Sequence, residues 1–300
     1  MPTSDELRGV IVPLITPVHD DDTVDEPSLR KLVRRLIGAD LNTLFVAGSA
    51  GEGPLLSFDQ WVRLLEVTRD EAGDKAHLLA GVMETSTRRV IEKIKAADRI
   101  GYKYFVLTPT FYQPIVTASE QLRLFGEARA AASDRMEMIA YNIPGFTAST
   151  VAVETVCEAA KRGWTRYYKD SSGDMNVFWK LVEQGRAVGL NVFMGDERFI
   201  ADGLFAGACG MVPVCANYEP ETFVRAWQAH LDRDYTELLR LQMRVLAMRQ
   251  TMLRTGPCWI SGLKYALSKL GIGNGRAVSP LEPVDEARKK LIDEMVGAQR

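Results

Sequence analysis

The chain reads as a (β/α)8 barrel followed by a helical extension, and three observations predict it. Eight short apolar, β-rich runs recur between residues 9 and 214. Each run is followed by a stretch of helical length, and beyond about residue 220 the pattern is helical only. Strands with almost no polar interruption suit a parallel sheet covered on both faces, and strict strand–helix alternation suits the α/β barrel. A doubly wound open sheet is the alternative, but it usually has fewer units and often carries GxGxxG after its first strand. We read residues 1–219 as the barrel and 220–300 as helices packed on it.

The runs, in order, are Gly9-Val10-Ile11-Val12-Pro13-Leu14-Ile15, Thr43-Leu44-Phe45-Val46-Ala47, His77-Leu78-Leu79-Ala80-Gly81-Val82 and Tyr104-Phe105-Val106-Leu107. Met136-Glu137-Met138-Ile139-Ala140-Tyr141, Thr165-Arg166-Tyr167-Tyr168-Lys169, Asn191-Val192-Phe193-Met194 and Gly210-Met211-Val212-Pro213-Val214 complete the set. Between the first two, Leu29, Leu32, Val33, Leu36 and Ile37 fall at helical spacing. Between the second and third, Trp61, Leu64, Leu65 and Thr68 do the same, after a start signal at Ser57 with Gln60 three residues on. In the C-terminal region Leu238, Leu239, Leu241, Gln242, Val245 and Leu246 form a broad stripe, with Met243, Met248 and Met252 expected to pack as core. Pro257-Cys258-Trp259-Ile260 opens a further helix.

Composition removes several function classes. A net charge of -2 over 300 residues gives no electrostatic footprint for nucleic acid, and no block of like charges forms a binding tail. The longest apolar stretches are strand-length, so no membrane span is expected. The start, Met1-Pro2-Thr3-Ser4-Asp5, lacks the apolar centre of a signal peptide, and a cytoplasmic location is expected. Cys157, Cys209, Cys215 and Cys258 are scattered and far from His19, His77 and His230, so neither disulfides nor a zinc site is expected.

Barrel enzymes place their chemistry at the C-terminal ends of strands. Lys169 stands at such an end, in Tyr168-Lys169-Asp170-Ser171-Ser172-Gly173. A desolvated lysine loses its proton more readily and attacks carbonyls. Tyr141 ends the strand before it and offers a phenol for proton transfer. The turn Gly48-Ser49-Ala50-Gly51-Glu52-Gly53 offers backbone N–H groups and a hydroxyl to a carboxylate. Taken singly, these are a surface lysine, a packed aromatic and a turn. On strand ends of one barrel they suit a 2-keto acid held as a Schiff base.

With these segments in order, the chain resembles the dihydrodipicolinate synthase / N-acetylneuraminate lyase superfamily of pyruvate-dependent class I aldolases over essentially its whole length. The markers are Thr16-Pro17, Gly48-Ser49-Ala50-Gly51-Glu52, Thr108-Pro109, Tyr141-Asn142-Ile143-Pro144, Lys169-Asp170-Ser171-Ser172-Gly173 and Gly195-Asp196. The resemblance implies that Lys169 forms the imine with pyruvate or a related 2-keto acid and that Tyr141 transfers the proton. It implies that Ser49 and the backbone at Ala50 hold the carboxylate, with Gly195, Glu197, Phe146 and Val212 completing the substrate-binding set. It implies a homo-oligomer, a dimer of dimers, and no metal or organic cofactor, because the imine is itself the electron sink.

Three departures from the family pattern bear on function. Ala50 stands where a second hydroxyl is usual. Phe111 stands where many members place a tyrosine that reaches the neighbouring subunit's site, with Tyr112 one residue on. Phe146 stands where the lysine-pathway condensing enzymes carry an arginine for the aldehyde's carboxylate. Glu197 resembles the lyase branch, where an acid meets sugar hydroxyls; its other reading is a charge favoured at a helix start. The expected activity is reversible carbon–carbon cleavage or condensation, or a related dehydration. The alternatives are synthase-type condensation of pyruvate with aspartate semialdehyde, and a non-catalytic barrel that senses a keto acid. A sugar-phosphate isomerase is disfavoured, since no glycine-rich phosphate loop follows the last strands.

Overall fold

The computed structural model describes residues 6–253 and 259–297 of the 300. Met1 to Asp5, read above for a leader, and Pro257 and Cys258, read as a helix start, lie outside the described residues.

In chain order the elements are β1 (Gly9–Val10), β2 (Val12–Pro13), α1 (Glu26–Gly38), β3 (Thr43–Val46), α2 (Phe58–Ala72), β4 (His77–Gly81), α3 (Thr87–Ile100) and β5 (Tyr104–Leu107). Then come α4 (Ala118–Ala131), β6 (Glu137–Asn142), the short α5 (Pro144–Thr147), α6 (Val153–Lys161), β7 (Thr165–Asp170), α7 (Met175–Arg186), β8 (Asn191–Met194), α8 (Ile200–Ala206) and β9 (Gly210–Met211). The C-terminal helices are α9 (Pro220–Leu231), α10 (Tyr235–Met252), α11 (Ser261–Lys269) and α12 (Glu286–Gly297).

The strands form one sheet in the order β1-β9-β8-β7-β6-β5-β4-β3-β2. The pairs described are parallel. Ile11 alone separates β1 from β2, so these are two halves of the first expected strand and the order is cyclic. The connectivity is that of a (β/α)8 barrel; the doubly wound alternative needs a reversal of strand order that is absent here. The first strand is shorter than its apolar run, yet Leu14 N still donates to Phe45 O at 2.9 Å, continuing the ladder.

The described residues divide into two compact units: 12–76 with 214–253 and 259–297, and 6–11 with 77–213. In the first, α1 begins at Asp25, whose Oδ1 accepts from Ser28 N at 3.1 Å, and buries Leu29, Leu32, Val33 and Leu36. Ser57 starts α2 by accepting from Gln60 N, but Gln60 Oε1 accepts from Val24 N at 2.8 Å instead of closing a capping box. Helix α10 packs against α9, α11 and α12. It buries Leu238, Leu241, Gln242, Val245, Met248 and Met252. Two expectations are corrected here. Leu239 and Met243 are 51% and 65% exposed, because with Tyr235 they sit at four-residue spacing on the outward face.

In the second unit β6 and β7 pair so that Tyr141 is opposite Lys169 and Asn142 opposite Asp170. β7 and β8 set Lys169 opposite Phe193 and Asp170 opposite Met194. Tyr104 on β5, Tyr167 on β7 and Phe193 on β8 meet edge-on or tilted, an aromatic cluster shared by three strands. The C-terminal ends of β6, β7 and β8 are thereby neighbours.

Candidate active site

Lys169 is buried at the end of β7, with its Nζ 4.0 Å from the centroid of the Tyr141 ring. Burial pulls its pKa down from 10.5 to about 7, and the carboxylate of Glu197 opposes that shift. A charged amine is costly out of water, so the neutral form gains. Tyr141 is itself 2% exposed, and Ser171 Oγ donates to its phenol oxygen over a long 3.4 Å. The sequence reading missed Ser171, since a hydroxyl in a polar turn carries no distinguishing signal.

Successive strand residues face opposite ways. Asp170 therefore turns its carboxylate from Lys169 to a network of its own. Asn142 Nδ2 donates to Oδ1 at 2.8 Å and Ser172 Oγ to Oδ2 at 2.7 Å. Asn142 Oδ1 accepts from Val151 N at 3.1 Å, tying the loop after α5 to the strand end. Burial raises the Asp170 pKa and these donors oppose the rise. The network clamps β6 to β7 directly beside the lysine.

Gly195 has a packing reason for being glycine. A Cβ there would stand 2.2 Å from Ser171 Oγ, 2.7 Å from Asp170 O and 2.9 Å from Lys169 Cε. Its N–H donates to Asp170 O at 2.7 Å. A side chain at 195 would displace the stem of the lysine. Asp196 starts the 3-10 turn Glu197–Phe199 by accepting from Arg198 N at 3.0 Å, and Glu197 in that turn is 6% exposed. Glu197 is the first residue of a helical turn, and its carboxylate acts electrostatically on Lys169. Val212 is buried just past β9, its N–H donating to Met194 O at 2.8 Å.

Phe146 lies on α5 and is 55% exposed. Phe111 is half-buried in the loop after β5, whereas Tyr112 is 93% exposed with a left-handed φ of +71°. A bulky residue in that region is a backbone outlier.

In the other unit, the turn after β3 is held by close backbone approach. A Cβ on Gly51 would lie 2.7 Å from Leu14 O, and one on Gly53 only 2.0 Å from Ala47 O. Thr16 Oγ1 donates to Gly51 O at 2.6 Å, Glu52 N to Ser49 O at 3.2 Å and Gly53 N to Gly48 O at 3.1 Å. Ser49 is half-buried and Ala50 is 4% exposed. Among the described residues, the amides of Ser49, Ala50 and Gly51 donate to no protein acceptor. Among the described residues no group of His, Cys, Asp and Glu side chains is arranged to hold a metal.

Residues 6–299 match the model of the dihydrodipicolinate synthetase family, and the chain belongs to that family. A 4-hydroxy-tetrahydrodipicolinate synthase of Natronomonas pharaonis is 28% identical over 98% of each chain. The solved dihydrodipicolinate synthase of Bacteroides thetaiotaomicron aligns with a TM-score of 0.91 at 26% identity, covering 97% of this chain and 98% of that one. YagE of E. coli K12, a family protein solved with pyruvate, gives a TM-score of 0.91 at 21% identity over 97% and 98% of the two chains.

Proposed function

We propose, with membership of this family as premise, that Lys169 is the imine-forming amine of the enzyme and Tyr141 its proton carrier. The family makes the chain a class I lyase or aldolase acting on pyruvate. The observation that supports the residue assignment is the buried Lys169 amine, 4.0 Å from the centroid of the Tyr141 ring and with its pKa lowered to about 7. The neutral Nζ attacks the ketone carbon and a C–N bond forms. The former carbonyl oxygen takes up a proton, and loss of water leaves the protonated imine. As the hydroxyl on the departing fragment gives up its proton and becomes the aldehyde carbonyl, that cation takes up the electron pair of the carbon–carbon bond and becomes a neutral enamine; the carbanion character developing on the way is what the site must favour over the ground state. The bond-forming direction runs the same steps backwards. The amides of Ser49, Ala50 and Gly51, which donate to no protein acceptor among the described residues, support assigning that turn to the substrate carboxylate. Trapping with pyruvate and borohydride, followed by peptide mass mapping, tests the assignment; an adduct on another lysine of a turnover-competent protein overturns it.

The aldehyde partner is the finer question. The name of the Natronomonas relative, a 4-hydroxy-tetrahydrodipicolinate synthase, favours the synthase reading. Phe146 argues against it. An arginine there would give a carboxylate charge-assisted hydrogen bonds, and a phenyl ring gives none. Losing such a partner costs about 1.5–3 kcal/mol, roughly ten- to a hundredfold in transition-state binding. We therefore expect a partner whose far end is neutral or polyhydroxylated, the latter meeting Glu197. Assay with pyruvate and aspartate semialdehyde should give kcat/KM below about 10⁴ M⁻¹s⁻¹; a value at or above it restores the synthase reading.

The proposal includes a homo-oligomer, a dimer of dimers, supported by Tyr112 at 93% and Val116 at 69% exposure in the loop that begins at Phe111. Aromatic and apolar groups so presented suit a buried contact. Sedimentation at micromolar concentration should show a species heavier than the 33.4 kDa chain, and a monomer alone contradicts it. A cytoplasmic location is part of the same proposal. It is supported by the thiols of Cys157 and Cys209, which form no disulfide. No helix among the described residues is long and apolar enough to cross a membrane. Export to an oxidising compartment, shown by fractionation, would refute the location.

A further inference from the structure

We infer that Glu52 and Lys264 form a buried strut that positions the Ser49-Ala50-Gly51 turn, so that the C-terminal helix α11 governs recognition of the keto acid's carboxylate. The inference rests on the reading of that turn given under the proposed function.

Glu52 is in an unusual state for its residue type. Its φ is +55°, in the left-handed region, and it is 3% exposed. A non-glycine residue persists there only where surrounding structure over-determines it. Both carboxylate oxygens are engaged by partners more than 200 residues away in sequence. Oε1 accepts from Val278 N at 2.8 Å, and Oε2 lies 2.5 Å from Lys264 Nζ. Lys264 is also 3% exposed and stands on the first turn of α11. A buried ion pair cannot be loosened at one end without stranding the other charge, which makes it a stiff connection.

The strut reaches the cradle through one peptide group. Glu52 N donates to Ser49 O at 3.2 Å. The Ser49–Ala50 peptide is planar and trans, so holding its carbonyl on one side aims the Ala50 N–H to the other. Ala50 has no hydroxyl to compensate, so this amide's direction decides the second hydrogen bond to the carboxylate. Releasing Glu52 frees the Ser49 carbonyl and rotates the donor away. Lys264 and Glu52 touch no reacting atom in this account; both are positioning residues.

The experiment compares pyruvate with methyl pyruvate, which has the same ketone but no anion, in borohydride trapping on Lys169. Wild type should favour pyruvate strongly. In Lys264→Met, and in the isosteric Glu52→Gln, the concentration of pyruvate for half-maximal trapping should rise roughly ten- to a hundredfold, the scale of a lost charge-assisted hydrogen bond. Trapping of methyl pyruvate should be unchanged, and the maximal pyruvate trapping rate nearly so. Lys264→Arg should recover part of the pyruvate preference. If both ketones weaken in parallel, the pair is merely structural and the inference is overturned. Unaltered pyruvate preference in Glu52→Gln overturns it as well. Should Lys264→Met fail to fold, Glu52→Gln decides alone, because it keeps the shape and one acceptor. Absence of any adduct on Lys169 in wild type is a different failure: it removes the proposed function, and this inference with it.

Discussion

Lys169→Ala leaves a folded protein without measurable turnover, a loss on the order of 10⁴-fold or more in kcat/KM, the scale on which removal of a covalent nucleophile acts. Borohydride and pyruvate should add mass to the wild-type peptide holding Lys169 and to nothing in the variant. Lys169→Arg should do no better, because a guanidinium stays protonated and is no nucleophile. The pH profile separates nucleophilic loss from general damage. With the Lys169 pKa lowered by burial to about 7, the neutral amine dominates above that pH and the ammonium below it. Imine formation should therefore rise through about pH 7 and level off above. Glu197 holds the value up against burial, so Glu197→Gln should move the midpoint lower. A midpoint near 10.5, that of an ordinary lysine, would mean that the amine is not desolvated in solution.

Much of this was legible in the sequence because a parallel barrel writes itself plainly. Tyr104–Leu107 and Asn191–Met194 match their apolar runs residue for residue, since strands covered on both faces tolerate few polar residues. Lys169 and Tyr141 stood out because each ends such a run with a group whose burial needs a reason. What stayed hidden is what packing decides. Nothing local marks Lys264 as the partner of Glu52, 212 residues away. The resemblance marks Gly195, but the reason it must be glycine emerges only when its missing Cβ is set against Lys169 Cε. The α10 stripe was too broad to separate buried Leu238 from exposed Leu239, because adjacent residues on a helix differ by about 100° in direction.

Tyr141→Phe should lower kcat by about 10²- to 10⁴-fold, the usual range for losing a general acid–base group. The substitution keeps the ring that Lys169 Nζ approaches at 4.0 Å and removes only the hydroxyl. The fold and the desolvation of the amine should survive, and with them the pH midpoint of imine formation. What is lost is the proton delivered to the carbinolamine oxygen as water leaves, and its return on hydrolysis. Both precede or follow carbon–carbon chemistry, so trapping with pyruvate should persist in the variant but reach its plateau more slowly. Ser171→Ala should cost less, since Ser171 Oγ meets the phenol only over 3.4 Å and leaves the proton-bearing group in place. This ordering distinguishes a proton carrier from a packing aromatic. If Tyr141 served only to cover Lys169, the phenylalanine would cover it equally well and turnover would stay at the wild-type level. Unchanged turnover in Tyr141→Phe would thus assign the proton transfer to another group and leave Lys169 as the only catalytic side chain supported here.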